Sequence, residues 1–91
     1  MQAVITMQGE ALPIVRAGIN MKRRALELNL RQYQAKLAAF EKRHGMTADQ
    51  FVSRFGAGEL GDESEWFEWE FVFDAYRETA RQLDLLRSVQ L

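Results

Sequence analysis

The chain has 91 residues, of which 27% are charged and 47% are hydrophobic, a composition that is ordinary for one small folded domain. Its formal net charge of −1 gives no overall attraction to nucleic acid or to an anionic membrane, and the lack of cysteine excludes disulfides, thiolate metal sites and thiol nucleophiles. No segment resembles a signal peptide, and the longest run without a polar residue, 11–15, is too short to cross a bilayer. We therefore expect a soluble cytoplasmic protein with no membrane partner.

The first half of the chain predicts an N-terminal arm followed by one long helix. Residues 1–12 include QAVITMQ, whose alternation and β-branched side chains are typical of a short strand or an extended arm. From Pro13, a favoured residue at a helix start, the pattern is helical over 13–44. Gly45 can then adopt the left-handed conformation that ends a helix.

A short helix and a glycine-rich turn follow. Thr47 and Gln50 form a capping-box pattern, which predicts a helix over 47–55. The glycines after it have the G-x-G-x-x-G spacing of dinucleotide-binding loops: Gly56, Gly58 and Gly61. Such a loop follows a strand of a parallel sheet, whereas here a capped helix comes before the glycines and several acidic residues come after them. We therefore interpret the glycines as turn residues and predict no cofactor.

The last segment predicts a second long helix, over 62–90. Asp62 or Ser64 opens it, and Glu65 would complete a second capping box if Asp62 is the cap. No glycine or proline interrupts the chain after Gly61. The predicted fold is a single all-α domain in which two long antiparallel helices are joined by a short helix, with an N-terminal strand or arm.

Each long helix carries two apolar lines. The inward line of the first helix has the period of a packed helix face and comprises Val15, Ile19, Leu26, Leu30, Tyr33, Leu37 and Phe40. The matching line of the last helix steps by three and four residues through Trp66, Trp69, Phe73, Tyr76, Ala80 and Leu83. The second lines are Ile14, Met21, Leu28 and Ala35 in the first helix, and Phe67, Phe71 and Leu85 in the last.

The second lines predict association with another chain. A two-helix hairpin needs only one apolar line per helix. Helices of this length, about 40 Å, also project beyond a compact globule and cannot wrap around their own core. The protein-binding candidates on these lines are Met21, Leu28, Phe67 and Phe71, and the partner is a second copy or a foreign protein. The short helix could instead cover Phe67 and Phe71 through its own phenylalanines.

Charge is divided between the two halves of the chain. Residues 1–44 contain eight basic and three acidic residues, and residues 45–91 contain four basic and ten acidic residues. Either the acidic helix packs along the basic one, or the acidic turn faces a basic partner such as an RNA-binding protein. The second interpretation adds three acidic protein-binding candidates: Glu59, Asp62 and Glu63.

A nucleic-acid interface is an alternative for the basic residues near the start of the first helix, Arg16, Lys22, Arg23 and Arg24. A strand at 1–12 could pair across a dimer and read DNA as a two-stranded ribbon. No aromatic residue is interleaved with the basic run, which is equally typical of a solvated helix face.

Patterns that carry catalysis or bind metals are few. His44, the only histidine, falls at a helix end and is interpreted as a C-terminal capping residue. Glu65 and Glu68 have a spacing that can hold Mg²⁺, but Glu70 and Asp74 are one residue too far apart to supply the second pair of a helical nucleotide pyrophosphohydrolase. We therefore predict a non-enzymatic chain without a metal site.

Residues 33–69 resemble a group of small prokaryotic helical proteins. The shared pattern is Y-x-x-K-L-x-x-F-E-x-x-x-G-M-[ST], then F-x-x-x-F, G-E-L-G-D and F-E-W. It is carried by Tyr33, Lys36, Leu37, Phe40, Glu41, Gly45, Met46, Phe51, Phe55, 58–62 and 66–69. Members of this group are read as the antitoxin half of a type II toxin–antitoxin pair.

The resemblance implies a chain that binds and neutralises a small, basic, nuclease-like toxin. Aromatic residues commonly anchor such interfaces, and the candidates here are Trp66, Trp69, Phe67, Phe71 and Tyr76. We interpret the two tryptophans and the tyrosine as internal core, which leaves the two phenylalanines for the partner. A self-associating helical structural protein remains the alternative function.

Overall fold

The chain folds into three α-helices. In the computed structural model, which describes residues 1–91, a single 3-10 turn at Gly9–Ala11 leads into α1, Leu12–His44. The other two helices are α2, Ala48–Gly56, and α3, Ser64–Arg87. The predicted all-α class is therefore confirmed. Neither long helix combines the length and the apolar character that crossing a membrane requires.

α1 stops where its local chemistry favours a stop. Gly45 follows its last residue with φ 64° and ψ 30°, the left-handed conformation that glycine adopts without a steric cost. The Gly45 N–H donates to the carbonyl oxygen of Glu41 at 2.9 Å and so satisfies one of the free carbonyls at the helix end. Met46 then turns back into the core that Phe40 also joins.

The capping box at the start of α2 forms as predicted. The Gln50 N–H donates to Thr47 Oγ1 at 3.1 Å, and the Thr47 N–H donates to Gln50 Oε1 at 3.0 Å. α2 ends at Gly56, and two glycines of positive φ, Gly58 at 75° and Gly61 at 84°, turn the chain towards α3. The glycines therefore shape the connection between two helices, as interpreted from the sequence.

Of the two predicted starts for the last helix, Ser64 is confirmed and Asp62 is wrong. α3 begins at Ser64 with Glu63 as its N-cap, and no side chain caps the helix, so the capping box that depended on Asp62 does not form. The Glu65 side chain contacts Arg43 of α1 and is therefore not folded back onto its own helix. At the other end, α3 stops at Arg87, where the Ser88 hydroxyl donates to the Leu85 carbonyl at 2.6 Å.

The N-terminal segment is an arm and not a strand. Residues 1–8 have no regular secondary structure, and the side chains of Val4 and Ile5 are 92% and 69% exposed. A strand needs a neighbouring strand to take up its backbone hydrogen bonds, and an all-helical chain offers none. Of the two alternatives predicted for residues 1–12, the arm is therefore confirmed and the strand is wrong.

α1 and α3 run antiparallel and form an elongated hairpin. The end of α1 meets the start of α3 through Arg43 and Glu65, and Arg16 near the start of α1 donates to the Leu91 carbonyl at the end of the chain. The radius of gyration is 18.1 Å, against about 12 Å for a compact chain of this length. The molecule therefore has long helix faces that its own chain does not enclose.

The core lies at the closed end of the hairpin, where α2 packs against α3 and residues of all three helices meet. Seven buried side chains form it: Leu37, Phe40, Met46, Phe51, Trp66, Trp69 and Val72. Only ten of the 91 residues are buried in the whole chain. Two of them, Leu26 and Leu83, lie in the half of the hairpin farther from α2. Most of the packing that holds the fold together is therefore at one end.

Candidate protein-binding surfaces

The predicted inward lines of α1 and α3 do face each other. Trp66 and Trp69 are 8% and 0% exposed, so both tryptophans are core residues and cannot anchor a partner, while Tyr76 packs partly buried against the core. Sequence reasoning missed Val72 and Thr79, which are also buried. Each is three residues after a predicted inward residue, so the contact face of α3 is wider than the predicted line.

The second line of α3 is exposed. Phe67 is 52% exposed, Phe71 is 69% exposed and Leu85 is 54% exposed. The Phe55 ring of α2 meets the Phe67 ring edge to face, with centroids 5.3 Å apart and planes at 84°. The short helix therefore covers part of Phe67, while Phe71 stays almost free.

Carboxylates flank these two phenylalanines on one side of the helix. Glu70 follows Phe67 by three residues and Asp74 follows Phe71 by three, a spacing that places each acid beside its phenylalanine on the helix surface. Both acids are exposed and neither is in an ion pair. We call Phe67, Glu70, Phe71 and Asp74 the α3 surface.

The acidic turn before α3 is likewise unneutralised within the chain. Glu59, Asp62 and Glu63 are exposed and are in no ion pair. Between the two long helices, the ion pairs are restricted to the Glu65 carboxylate with Arg43 and His44. Packing of an acidic helix along a basic one therefore does not account for the charge division.

The Glu65 cluster joins the end of α1 to the start of α3 at the closed end of the hairpin. Arg43 Nη1 donates to Glu65 Oε1 at 2.5 Å, and His44 Nε2 lies 3.0 Å from the same oxygen without the angular geometry of a good hydrogen bond. The close contact with His44, followed by that with Arg43, lowers the pKa of the Glu65 carboxyl. The Glu65 carboxylate is therefore engaged by two side chains of α1.

His44 has a packing role that the sequence did not indicate. It is the last residue of α1, but its ring turns towards α3, where the centroids of Trp66 and Trp69 are 4.5 Å and 5.6 Å away. The interpretation of His44 as a side-chain cap is wrong, because the ring lies against the indoles and donates to no helix carbonyl. The chain brings no three histidine, aspartate or glutamate side chains into a group that could hold a metal ion.

The second line of α1 is a separate surface. Ile14, Met21 and Leu28 are 74%, 71% and 51% exposed. They lie on the side of α1 turned away from α3, just as Phe67 and Phe71 lie on the side of α3 turned away from α1. The protein-binding candidates therefore fall on two surfaces and not on one.

Basic residues accompany the α1 line. Arg24 follows Met21 by three residues and Arg31 follows Leu28 by three, and neither arginine is in an ion pair or a hydrogen bond. We call Met21, Arg24, Leu28 and Arg31 the α1 surface. It repeats the apolar-charged arrangement of the α3 surface with the opposite sign of charge.

The residues predicted as a nucleic-acid interface do not form one patch. Arg16 is bonded to the Leu91 carbonyl at 2.6 Å, and Arg23 pairs with Glu27 on its own helix at 3.8 Å. Lys22 and Arg24 are exposed and point to different sides of α1, because residues two apart do not share a helix face. The strand that would have formed a DNA-reading ribbon is absent.

No protein-family model matches the chain, and no curated protein or solved structure is significantly similar to it.

Proposed function

We propose that the chain is a non-enzymatic protein-binding module, the antitoxin half of a type II toxin–antitoxin pair, which binds and neutralises a small basic toxin in the cytoplasm. The observation that carries this proposal is the α3 surface, where two exposed phenylalanines stand beside unpaired carboxylates. The resemblance of residues 33–69 to antitoxin-like proteins supports the same class of function.

The apolar part of the α3 surface supplies the binding energy. Phe71 is 69% exposed and Phe67 is 52% exposed, and burial of a phenylalanine side chain stabilises a complex by up to about 1.5–3 kcal/mol. Phe67 is already held on one side by the Phe55 ring. A ring fixed before binding loses less conformational entropy when the partner arrives, so Phe67 is the better-ordered anchor.

The acidic part of the α3 surface selects for a basic partner. Glu70 and Asp74 on the helix, together with Glu59, Asp62 and Glu63 in the turn, form no ion pair within the chain. Carboxylates at the rim of an interface mainly accelerate association with a cationic protein and exclude anionic ones. On a toxin that cleaves RNA, such a surface would occupy the same groove that binds phosphate.

The proposal is tested by comparing what the wild-type chain and a surface variant bind. The tagged wild-type chain and the variant Phe67→Ser/Phe71→Ser are expressed in the native cell, and the captured proteins are identified by mass spectrometry. We expect a small basic protein in fixed ratio with the wild-type chain and not with the variant. When the two purified proteins are recombined, the chain should suppress the partner's nuclease activity and relieve its toxicity to growth.

A matched control keeps the test specific to the α3 surface. The variant Met21→Ser/Leu28→Ser removes two equally exposed apolar side chains from α1 and should still capture the partner. Circular dichroism of both variants must show unchanged helicity. The proposal fails if both variants capture the protein equally, or if the recovered protein is neither basic nor inhibited.

A further inference from the structure

We infer that the free chain self-associates through an interface that joins the α1 surface of one copy to the α3 surface of a second copy. The α1 surface of each copy therefore binds the α3 surface of another copy of the same chain. The inference concerns the chain alone and does not depend on the existence of a toxin.

Charge complementarity identifies the second copy as the occupant. Arg24 and Arg31 are unpaired beside the apolar line of α1, and Glu70 and Asp74 are unpaired beside the apolar line of α3. Contact between two α1 surfaces would place arginine against arginine, and contact between two α3 surfaces would place carboxylate against carboxylate. Only the mixed contact brings opposite charges together, so the two symmetric pairings are disfavoured.

The positions of the charges also determine the direction of the contact. In both helices, the charged residue follows its apolar neighbour by three positions, which places it on the same side of the apolar line when each helix is viewed from its N-terminus. When two such helices face each other antiparallel, both charged flanks lie along one edge of the interface. In a parallel pairing they would lie on opposite edges, so the arrangement favours antiparallel docking of α1 on α3.

The shape of the α1 surface suits the rings that it would receive. Ala25 is exposed and lies one helical turn from both Met21 and Leu28, so the α1 surface carries a small side chain next to two larger ones. Phe71, the more exposed of the two rings at 69%, can pack over this small residue as a knob packs between the side chains of a facing helix. Because the two joined surfaces differ, each copy can bind one neighbour on each side, and association need not stop at a dimer.

The test uses charge reversal and light scattering on the full chain. The wild-type protein should give a weight-average mass above the 10.6 kDa of one chain, rising with protein concentration and falling with salt. Arg24→Glu/Arg31→Glu should be monomeric, and so should Glu70→Lys/Asp74→Lys, because each variant has two surfaces of like charge. An equimolar mixture of the two variants should associate again, since each then finds a complementary surface on the other.

Two controls make the result decisive. Arg54→Glu/Arg87→Glu changes the net charge by the same amount at positions outside both surfaces, and it should associate as the wild-type chain does. Arg24→Glu/Arg31→Glu leaves the α3 surface intact, so loss of its self-association without loss of toxin capture separates this inference from the proposed function. A wild-type chain that is monomeric at every concentration, or variants that do not regain association on mixing, would overturn the inference.

Discussion

The indole of Trp69 stacks on the phenyl ring of Phe51, with ring centroids 4.1 Å apart and only 5° between the ring planes. Phe40 stacks on the same indole at 5.4 Å, so the side chain of Trp69 in α3 contacts both α1 and α2. Phe51 is the only buried residue of α2. The short helix is therefore attached to the hairpin mainly through this one ring.

Truncation of Phe51 should destabilise the whole domain. Phe51→Ala leaves a cavity beside Trp69, and such substitutions lower the free energy of unfolding by about 3–5 kcal/mol. The whole free energy of unfolding of a domain of this size is roughly 5–14 kcal/mol, so this loss is a large part of it. Urea unfolding followed by circular dichroism measures the change. Val52→Ala, at the 41% exposed neighbouring position, is the control and should stay within about 0.5 kcal/mol of the wild type.

Loss of the Thr47 hydroxyl should weaken the start of α2. Thr47→Ala leaves the Gln50 N–H without the acceptor that it has at 3.1 Å, and loss of a helix N-cap costs about 1 kcal/mol. Thr47→Ser keeps the oxygen and should be close to the wild type in the same urea experiment. If alanine and serine gave the same stability, the hydroxyl would not be the group that matters.

The sequence predicts best the features that depend on neighbouring residues. Gly45 and the box formed by Thr47 and Gln50 act within one helical turn, and both form as expected. The box assigned to Asp62 and Glu65 has the same local pattern, but Arg43 and His44 from the end of α1 take the Glu65 side chain instead. A contact across 22 residues of chain leaves no periodic signal, so local reasoning could not find it.

The candidate surfaces were also predictable only in part. The exposure of Phe71 and Met21 follows from their position opposite the inward lines, because helical periodicity alone determines which side of a helix a residue occupies. The burial of Val72 and Thr79 depends on how widely α3 contacts α1, which periodicity does not specify. The absence of ion pairs between α1 and α3 outside the Glu65 cluster likewise depends on how the two helices pack.

Acid should weaken the contact between α1 and α3 through Glu65. His44 and Arg43 lower the pKa of this carboxyl in the folded chain below its usual value of 4.5, so the unfolded chain binds the proton more readily. The stabilisation is therefore present above about pH 4.5 and is lost as the pH falls through the lower pKa of the folded state. The urea midpoint should accordingly decrease on acidification below pH 4.5, and Glu65→Gln should decrease less steeply than the wild type.

A second variant tests whether this acid sensitivity belongs to the Glu65 cluster. Hydrogen bonds from Arg81 and Gln82 lower the pKa of Glu78 to about 2, but both partners are on the same helix, and Glu78 and Arg81 are exposed to solvent. Exposed pairs of this kind contribute little, so Glu78→Gln should flatten the profile less than Glu65→Gln. If Glu78→Gln flattened the profile more than Glu65→Gln, the Glu65 cluster would not contribute to the stability of the contact between α1 and α3.

Two glycines should respond to alanine in opposite directions. Gly45 has a φ of 64°, where a Cβ atom is strained, so Gly45→Ala should lower the free energy of unfolding by about 1 kcal/mol. Gly18 lies inside α1, where alanine is the better helix former, so Gly18→Ala should raise it by about 0.5–1 kcal/mol. An added Cβ would meet no atom within 4 Å at either site, so the backbone conformation alone decides whether alanine stabilises or destabilises the chain.

Thermal unfolding measures both changes, since 1 kcal/mol moves the midpoint of a domain of this size by about 4–8 °C. Gly45→Asn, which tolerates the left-handed conformation, should lie between the wild type and Gly45→Ala; a shift of the same sign for both alanine variants would contradict the assignment of Gly45 as the cap of α1.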